Sequence, residues 1–205
     1  MTVKIKICGI KREIDTDFIN SALPDYTGFV FAPSKRQIGL DFALKLKNLL
    51  NPEIKTAGVF VNADEDKILS CVHSGVIDII QLHGNEDEDY IKRIKNKTNL
   101  PIIKAFKGGA QDKITTSADY ILLDSAQNNA FGGTGKTFDW TKIPKLNKPL
   151  FLAGGINAQN IKEALKIKPF CIDVSSGVET KGFKDGKKIK EVVKLVRSIE
   201  ACENE

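Results

Sequence analysis

Apolar residues along this chain follow two rhythms in turn. Short runs dense in Ile, Val and Phe lie at 3–8, 28–31, 56–61, 77–82, 102–106, 120–124, 150–153 and 172–174. Runs of this length and composition read as strands buried on both faces. Between them the spacing turns helical. Ala43, Leu46, Leu49 and Leu50 form one stripe closed by Pro52, and Ile68, Leu69 and Val72 flank Cys71 on another. Tyr90, Ile91 and Ile94 precede Pro101; Ile161, Ala164 and Leu165 follow Asn157, a good N-cap. Ile189, Val192, Val193, Val196 and Ile199 set one apolar face against lysines, and a first helix is expected from Asp15 to Leu23. The helical pattern is weakest at 110–117 and 140–143.

Strand, polar turn and helix repeated eight times in 205 residues predict an α/β fold. The specific expectation is one closed, parallel, eight-stranded (βα)8 TIM barrel covering 1–205 as a single domain. Such barrels carry their chemistry where strands hand over to helices. That rule selects Cys8, Arg36, Gln81, His83, Asp124 and the turns Gly154-Gly155 and Ser175-Ser176-Gly177. Side chains on a strand alternate faces, so an inward Cys8 carries Lys6 inward too. The strand near Lys104 presents the same question, and Asp173 stands two before Ser175. Unpaired buried charge is costly, so an interior ionic layer joining Lys6 or Lys104 to Asp173 is expected.

The net charge of +5 comes mainly from lysines scattered over helix faces. There is no basic stripe interleaved with aromatics, so a solvated surface is favoured over a nucleic-acid patch. No run approaches the roughly 18 apolar residues of a membrane span. The first residues enter a strand pattern without a leader signature, and a soluble cytoplasmic protein is expected. Cys8, Cys71, Cys171 and Cys202 lack the clustering of a disulfide framework or zinc site, so no metal is assigned. Whether the chain works as a monomer or homodimer is left open.

Gly132-Gly133-Thr134-Gly135-Lys136-Thr137 has the look of a nucleotide P-loop, but the signature's first glycine would stand at 130, which is Ala130. A mobile loop over the mouth fits the segment better. The Gly154-Gly155 and Ser175-Ser176-Gly177 turns follow strands seven and eight, where many barrels bind phosphate on free backbone N–H groups. Cys8 is either a small core hydrophobe or, at its strand end, a reactive thiol. Asp124 is either a loop cap or a proton donor in a partly apolar mouth. Arg36 is a solvated loop charge or a fork for a carboxylate. His83 is an acid/base group or a turn-stabilising one.

The ordered set Lys-Ile-Cys-Gly-Ile (6–10), Gly-Phe-Val-Phe (28–31), Ser-Lys-Arg (34–36), Gln-Leu-His-Gly (81–84), Leu-Leu-Asp-Ser (122–125), Ala-Gly-Gly-Ile (153–156) and Asp-Val-Ser-Ser-Gly-Val-Glu (173–179) resembles the phosphoribosylanthranilate isomerases. These are barrel enzymes of tryptophan biosynthesis. The resemblance runs nearly end to end and implies a cofactor-free Amadori rearrangement of a small phosphorylated substrate. It implies Asp124 as general acid, Cys8 as general base and Arg36 as holder of the anthranilate carboxylate. Backbone N–H groups around Gly155, Ser176 and Gly177 would hold the phosphate. Two other readings compete: the sister isomerase of histidine biosynthesis, which acts on a two-phosphate substrate, and a barrel that only binds a phosphorylated ligand.

Overall fold

The computed structural model describes residues 2–109, 113–125 and 137–202, with side chains as far as 198. Strands β1 (Lys4–Cys8), β2 (Tyr26–Val30), β3 (Lys55–Phe60), β4 (Ile79–Leu82), β5 (Ile102–Lys107), β6 (Tyr120–Asp124), β7 (Leu150–Leu152) and β8 (Cys171–Val174) succeed one another round a closed parallel barrel. The seam is made by β8 pairing with β1, in a register that sets Lys6 beside Asp173. Helices α1 (Glu13–Ala22), α2 (Leu40–Leu49), α3 (Glu65–His73) and α4 (Glu88–Lys97) follow the first four strands. Helices α5 (Ile161–Lys166) and α6 (Gly186–Cys202) follow the last two.

The expected helices at 110–117 and 140–143 are not found among the described residues. A 3-10 turn, Trp140–Lys142, stands before β7. Ahead of β6, Ile114 and Ala118 are buried without a helix. Ser117 ties this segment to α4, its N–H donating to Glu88 (2.7 Å) and its carbonyl accepting from Lys95 (2.9 Å). The glycine-rich stretch 132–136 lies outside the described residues, and so does the side chain of Cys202.

Alternation sorts each strand into two faces. Ile5, Ile7, Ile80, Ile102, Leu123 and Ile172 pack outward against the helices, while Ile79, Ile103, Leu122, Phe151 and Cys171 fill the interior. Both faces are therefore dry, which is why the strands read as unbroken apolar runs. Tyr26, Tyr120, Phe151 and Phe170 close the end where strands begin, with neighbouring ring centroids 5.2–5.7 Å apart. Among the described residues no helix is long and apolar enough to cross a membrane.

The interior ionic pair is present between Lys6 and Asp173, Nζ to Oδ2 2.8 Å. Lys104 does not join it. Ile103 and Ala105 own the inner face of β5, so Lys104 points the other way. There it donates to Glu86 Oε2 and to the Gly84 carbonyl, each at 2.7 Å. Glu86 in turn accepts from the N–H groups of Asn62 and Gly84, so this outward pair rivets the loops after β3 and β4.

Smaller expectations also shift. Helix α1 starts at Glu13, where the Asp15 carboxylate accepts from the N–H groups of Lys11 and Arg12. Leu49 is 45% exposed rather than part of the buried stripe. The N-cap of α5 is Asn160 and not Asn157. Asn157 instead closes a local turn by accepting from the Gln159 N–H, and both asparagine amides donate to the Gly155 carbonyl. A short hairpin of β9 (Glu179–Thr180) and β10 (Phe183–Lys184), which the pattern does not announce, precedes α6.

Candidate active site

At the C-terminal ends of the strands the interior opens into a cavity of about 370 Å³. Cys8, Arg36, Gln81, His83, Asp124, Gly154, Gly155, Ser175 and Ser176 all line it, as the barrel rule expects. Gly177 is not among the lining residues. A Cβ on it would collide with the Ile156 carbonyl, so its role is to let the turn after β8 press against the turn after β7. Gly154 and Gly155 hold φ of +87° and +67°, conformations that side chains resist. The 3-10 turn Ser176–Val178 begins here. Its leading N–H groups lack intrahelical partners by construction.

Cys8 closes β1 and is 8% exposed. Gly28 lies beside it across the β1–β2 pairing, and a Cβ at Gly28 would sit 2.7 Å from the Cys8 sulfur. The neighbouring strand thus makes room for the thiol. Burial raises the thiol's pKa above its ordinary 9.0, and Asp173 adds to that. The ammonium groups of Lys6 and Lys184 pull the other way without overcoming burial. For Lys6 burial acts downward, yet the adjoining Asp173 carboxylate raises its pKa and holds it charged. The Ser175 hydroxyl is spent on the Cys8 carbonyl (3.0 Å), stapling the ends of β8 and β1 together.

Asp124 closes β6. Its Oδ2 lies 3.3 Å from His83 Nε2. Gln81 Nε2 meets the other ring nitrogen at 2.9 Å. An amide nitrogen can only donate, so Nδ1 accepts and the proton of the neutral ring sits on Nε2, facing the carboxylate. Among the described residues, Asp124 Oδ1, Gln81 Oε1 and Asp173 Oδ1 are buried without a protein partner. All three belong to residues lining the cavity. Buried acceptors are normally satisfied, so three from β4, β6 and β8 around one cavity mark a place for a hydroxylated ligand.

The PRAI family model, described as N-(5'phosphoribosyl)anthranilate (PRA) isomerase, matches residues 5–195. The chain belongs to this family. The N-(5'-phosphoribosyl)anthranilate isomerase of Endomicrobium trichonymphae is 48% identical over 200 residues, spanning 96% of this chain and 99% of the relative. The crystal structure of phosphoribosyl anthranilate isomerase from Thermus thermophilus matches with a TM-score of 0.84 at 28% identity, covering 96% of this chain and 100% of that one. A further solved phosphoribosyl anthranilate isomerase is 32% identical with a TM-score of 0.77, over 96% of this chain and 99% of that one. It is in complex with reduced 1-(o-carboxyphenylamino)-1-deoxyribulose 5-phosphate.

Several residues in and around this cavity escape a reading by motif. Val30, Ala32, Pro33, Val59 and Val61 make an apolar wall to the cavity. In the sequence they look like ordinary core; the available signal is their period of two running past the ends of β2 and β3. Arg36 is not a solvated loop charge. It donates from Nε and Nη2 to the two carboxylate oxygens of Glu179, at 2.7 and 3.0 Å. Lys184, almost fully buried, donates to the same carboxylate (3.0 Å) and to the Ser175 carbonyl (2.9 Å). Burial works to raise the Glu179 pKa, but Arg36 and Lys184 bring it down to about 2. Glu179 closes the motif 173–179 without a role being legible there, and Lys184 belongs to no motif.

Proposed function

We propose that this chain catalyses the Amadori rearrangement of N-(5'-phosphoribosyl)anthranilate to 1-(2-carboxyphenylamino)-1-deoxyribulose 5-phosphate in tryptophan biosynthesis, with Asp124 as general acid and Cys8 as general base. The observation that carries the reading is that a thiol and a carboxyl with an unpartnered oxygen open into one cavity. That cavity has an apolar wall beside a guanidinium, and glycine turns elsewhere on its rim.

Asp124 protonates the furanose ring oxygen from Oδ1. The bond from that oxygen to C1' breaks, and the amine lone pair forms the Schiff base. The Cys8 thiolate removes the C2' proton, and the C2'–H electrons flow toward nitrogen to give an enolamine, which tautomerises to the ketone. Acid and base occupy different strands, so each reaches its own atom of a substrate held between them. His83, kept in one tautomer by Gln81, orients the Asp124 carboxylate with its free oxygen toward the sugar. The apolar wall takes the anthranilate ring and Arg36 its carboxylate. The turns Gly154-Gly155 and Ser175-Ser176-Gly177 take the phosphate on backbone N–H groups. Asp173 Oδ1 and Gln81 Oε1 accept from ribose hydroxyls.

Loss of N-(5'-phosphoribosyl)anthranilate fluorescence tests this directly. The purified chain should consume the substrate, while Cys8→Ala and Asp124→Asn should each lower kcat by about 10²–10⁴-fold, the usual worth of general acid or base catalysis. Both variants should still bind a product analogue. Full activity in either variant would remove that residue from its role.

A further inference from the structure

Arg36 is fixed from two directions before any ligand arrives. Along its stem, a Cβ on Gly9 would lie 2.5 Å from Arg36 Cδ, so the glycine lets the loop after β1 press on the methylene chain. At its head, the Nε–Nη2 edge of the guanidinium is occupied by the Glu179 carboxylate. The fork has a second edge, and Arg36 lines the cavity while Glu179 does not. Left as a simple pair, this arrangement would neutralise the cation. Lys184 alters the balance: its ammonium shares Glu179 Oε1, and its side chain is 1% exposed. Two cations against one anion leave a single surplus positive charge, and only Arg36 can present it to the cavity.

We infer that Glu179 is a positioning residue that aims Arg36, and that Lys184 is the counter-charge that leaves Arg36 free to read the carboxylate of the substrate. The inference rests on the assignment of Arg36 to that carboxylate. It makes the hairpin β9–β10, together with the loop carrying Arg36, an element that sets substrate specificity. Position and charge make opposite demands on Glu179→Gln. Removing the negative charge makes the cluster more positive, so charge alone would tighten binding of an anionic ring. Removing the fork releases the guanidinium, so positioning weakens it. Lys184→Met keeps the fork and cancels the surplus charge, which also weakens it.

The experiment compares kcat/KM for N-(5'-phosphoribosyl)anthranilate with that for N-(5'-phosphoribosyl)aniline, which lacks only the carboxylate. Because each ratio is taken on one preparation, loss of folded protein cancels. The native chain should prefer the carboxylated substrate on the order of 10²-fold, the discrimination a site built around a charge-assisted fork gives. Glu179→Gln and Lys184→Met should each lower that preference roughly tenfold, with the change in KM for the carboxylated substrate rather than in kcat. If Glu179→Gln does not fold, Lys184→Met decides alone. An unchanged or increased preference in the variants overturns the inference. A native preference near one, or one that survives in Arg36→Met, overturns the assignment of Arg36 itself. Collapse in Arg36→Met with native preference in the other two removes only the roles of Glu179 and Lys184.

Discussion

The two ends of the barrel interior use one alternation for opposite purposes. Where the strands begin, the inward positions carry Tyr26, Tyr120 and Phe151, with Phe170 beside them and Cys171 wholly buried. Two or four residues further along the same inward rows stand Gly28, Ala153 and Asp124. One end is closed by rings; the other is small or polar and opens into the cavity. Lys6 and Asp173 lie between them, a charged pair buried in the interior. Stability and chemistry are thus stacked along one axis, and a single strand contributes to both without either function constraining the other's residue types.

The contrast can be attacked from both ends. Phe151→Ala should cost about 3–5 kcal/mol of stability through the cavity it leaves, read from urea unfolding, while folded protein retains its KM. A loss of turnover without loss of stability would dissolve the division. At the other end, Gly28→Ala should cost about 1–3 kcal/mol of stability by overpacking against Cys8, less than Phe151→Ala. It should lower kcat/KM on the order of 10²-fold, because the new methyl displaces the Cys8 sulfur and such displacements are expensive in rate. The smallest effect is in alkylation of the native chain, followed by peptide mapping. Cys8, which lines the cavity, should react, whereas Cys171 should not. A raised pKa means little thiolate near neutrality, so the Cys8 rate should still be climbing above pH 9.0. A plateau below that value would mean that Lys6 and Lys184 outweigh burial.

How much of this was legible in the chain follows from the range over which each feature is encoded. Strands buried on both faces are local and strongly marked, so all eight were visible, with ends displaced by a residue or two. The ends of strands located Cys8, Asp124, Gln81 and His83, because a barrel turns position along a strand into position in the site. Lys6 with Asp173 followed from parity on two strands. For Lys104 the pattern leaves the face open, and only the packing of Ile103 and Ala105 in the interior settles the parity of β5. The roles of Glu179, though it closes the motif 173–179, and of Lys184 are illegible for another reason. Their meaning arises from Arg36, 143 residues away from Glu179 in the chain, and no spacing encodes such a meeting. The apolar wall was hidden in plain view, since valine lining a cavity and valine filling a core look alike.

The Lys6–Asp173 contact joins the first strand to the last across 167 positions. During synthesis the ammonium that tunes the thiol therefore waits for its counter-ion until the eighth strand has been made. Closing so long a loop offers no local reward along the way. A nascent fragment ending before the eighth strand therefore carries the Cys8 thiol without the charged surroundings that the proposed general base would need.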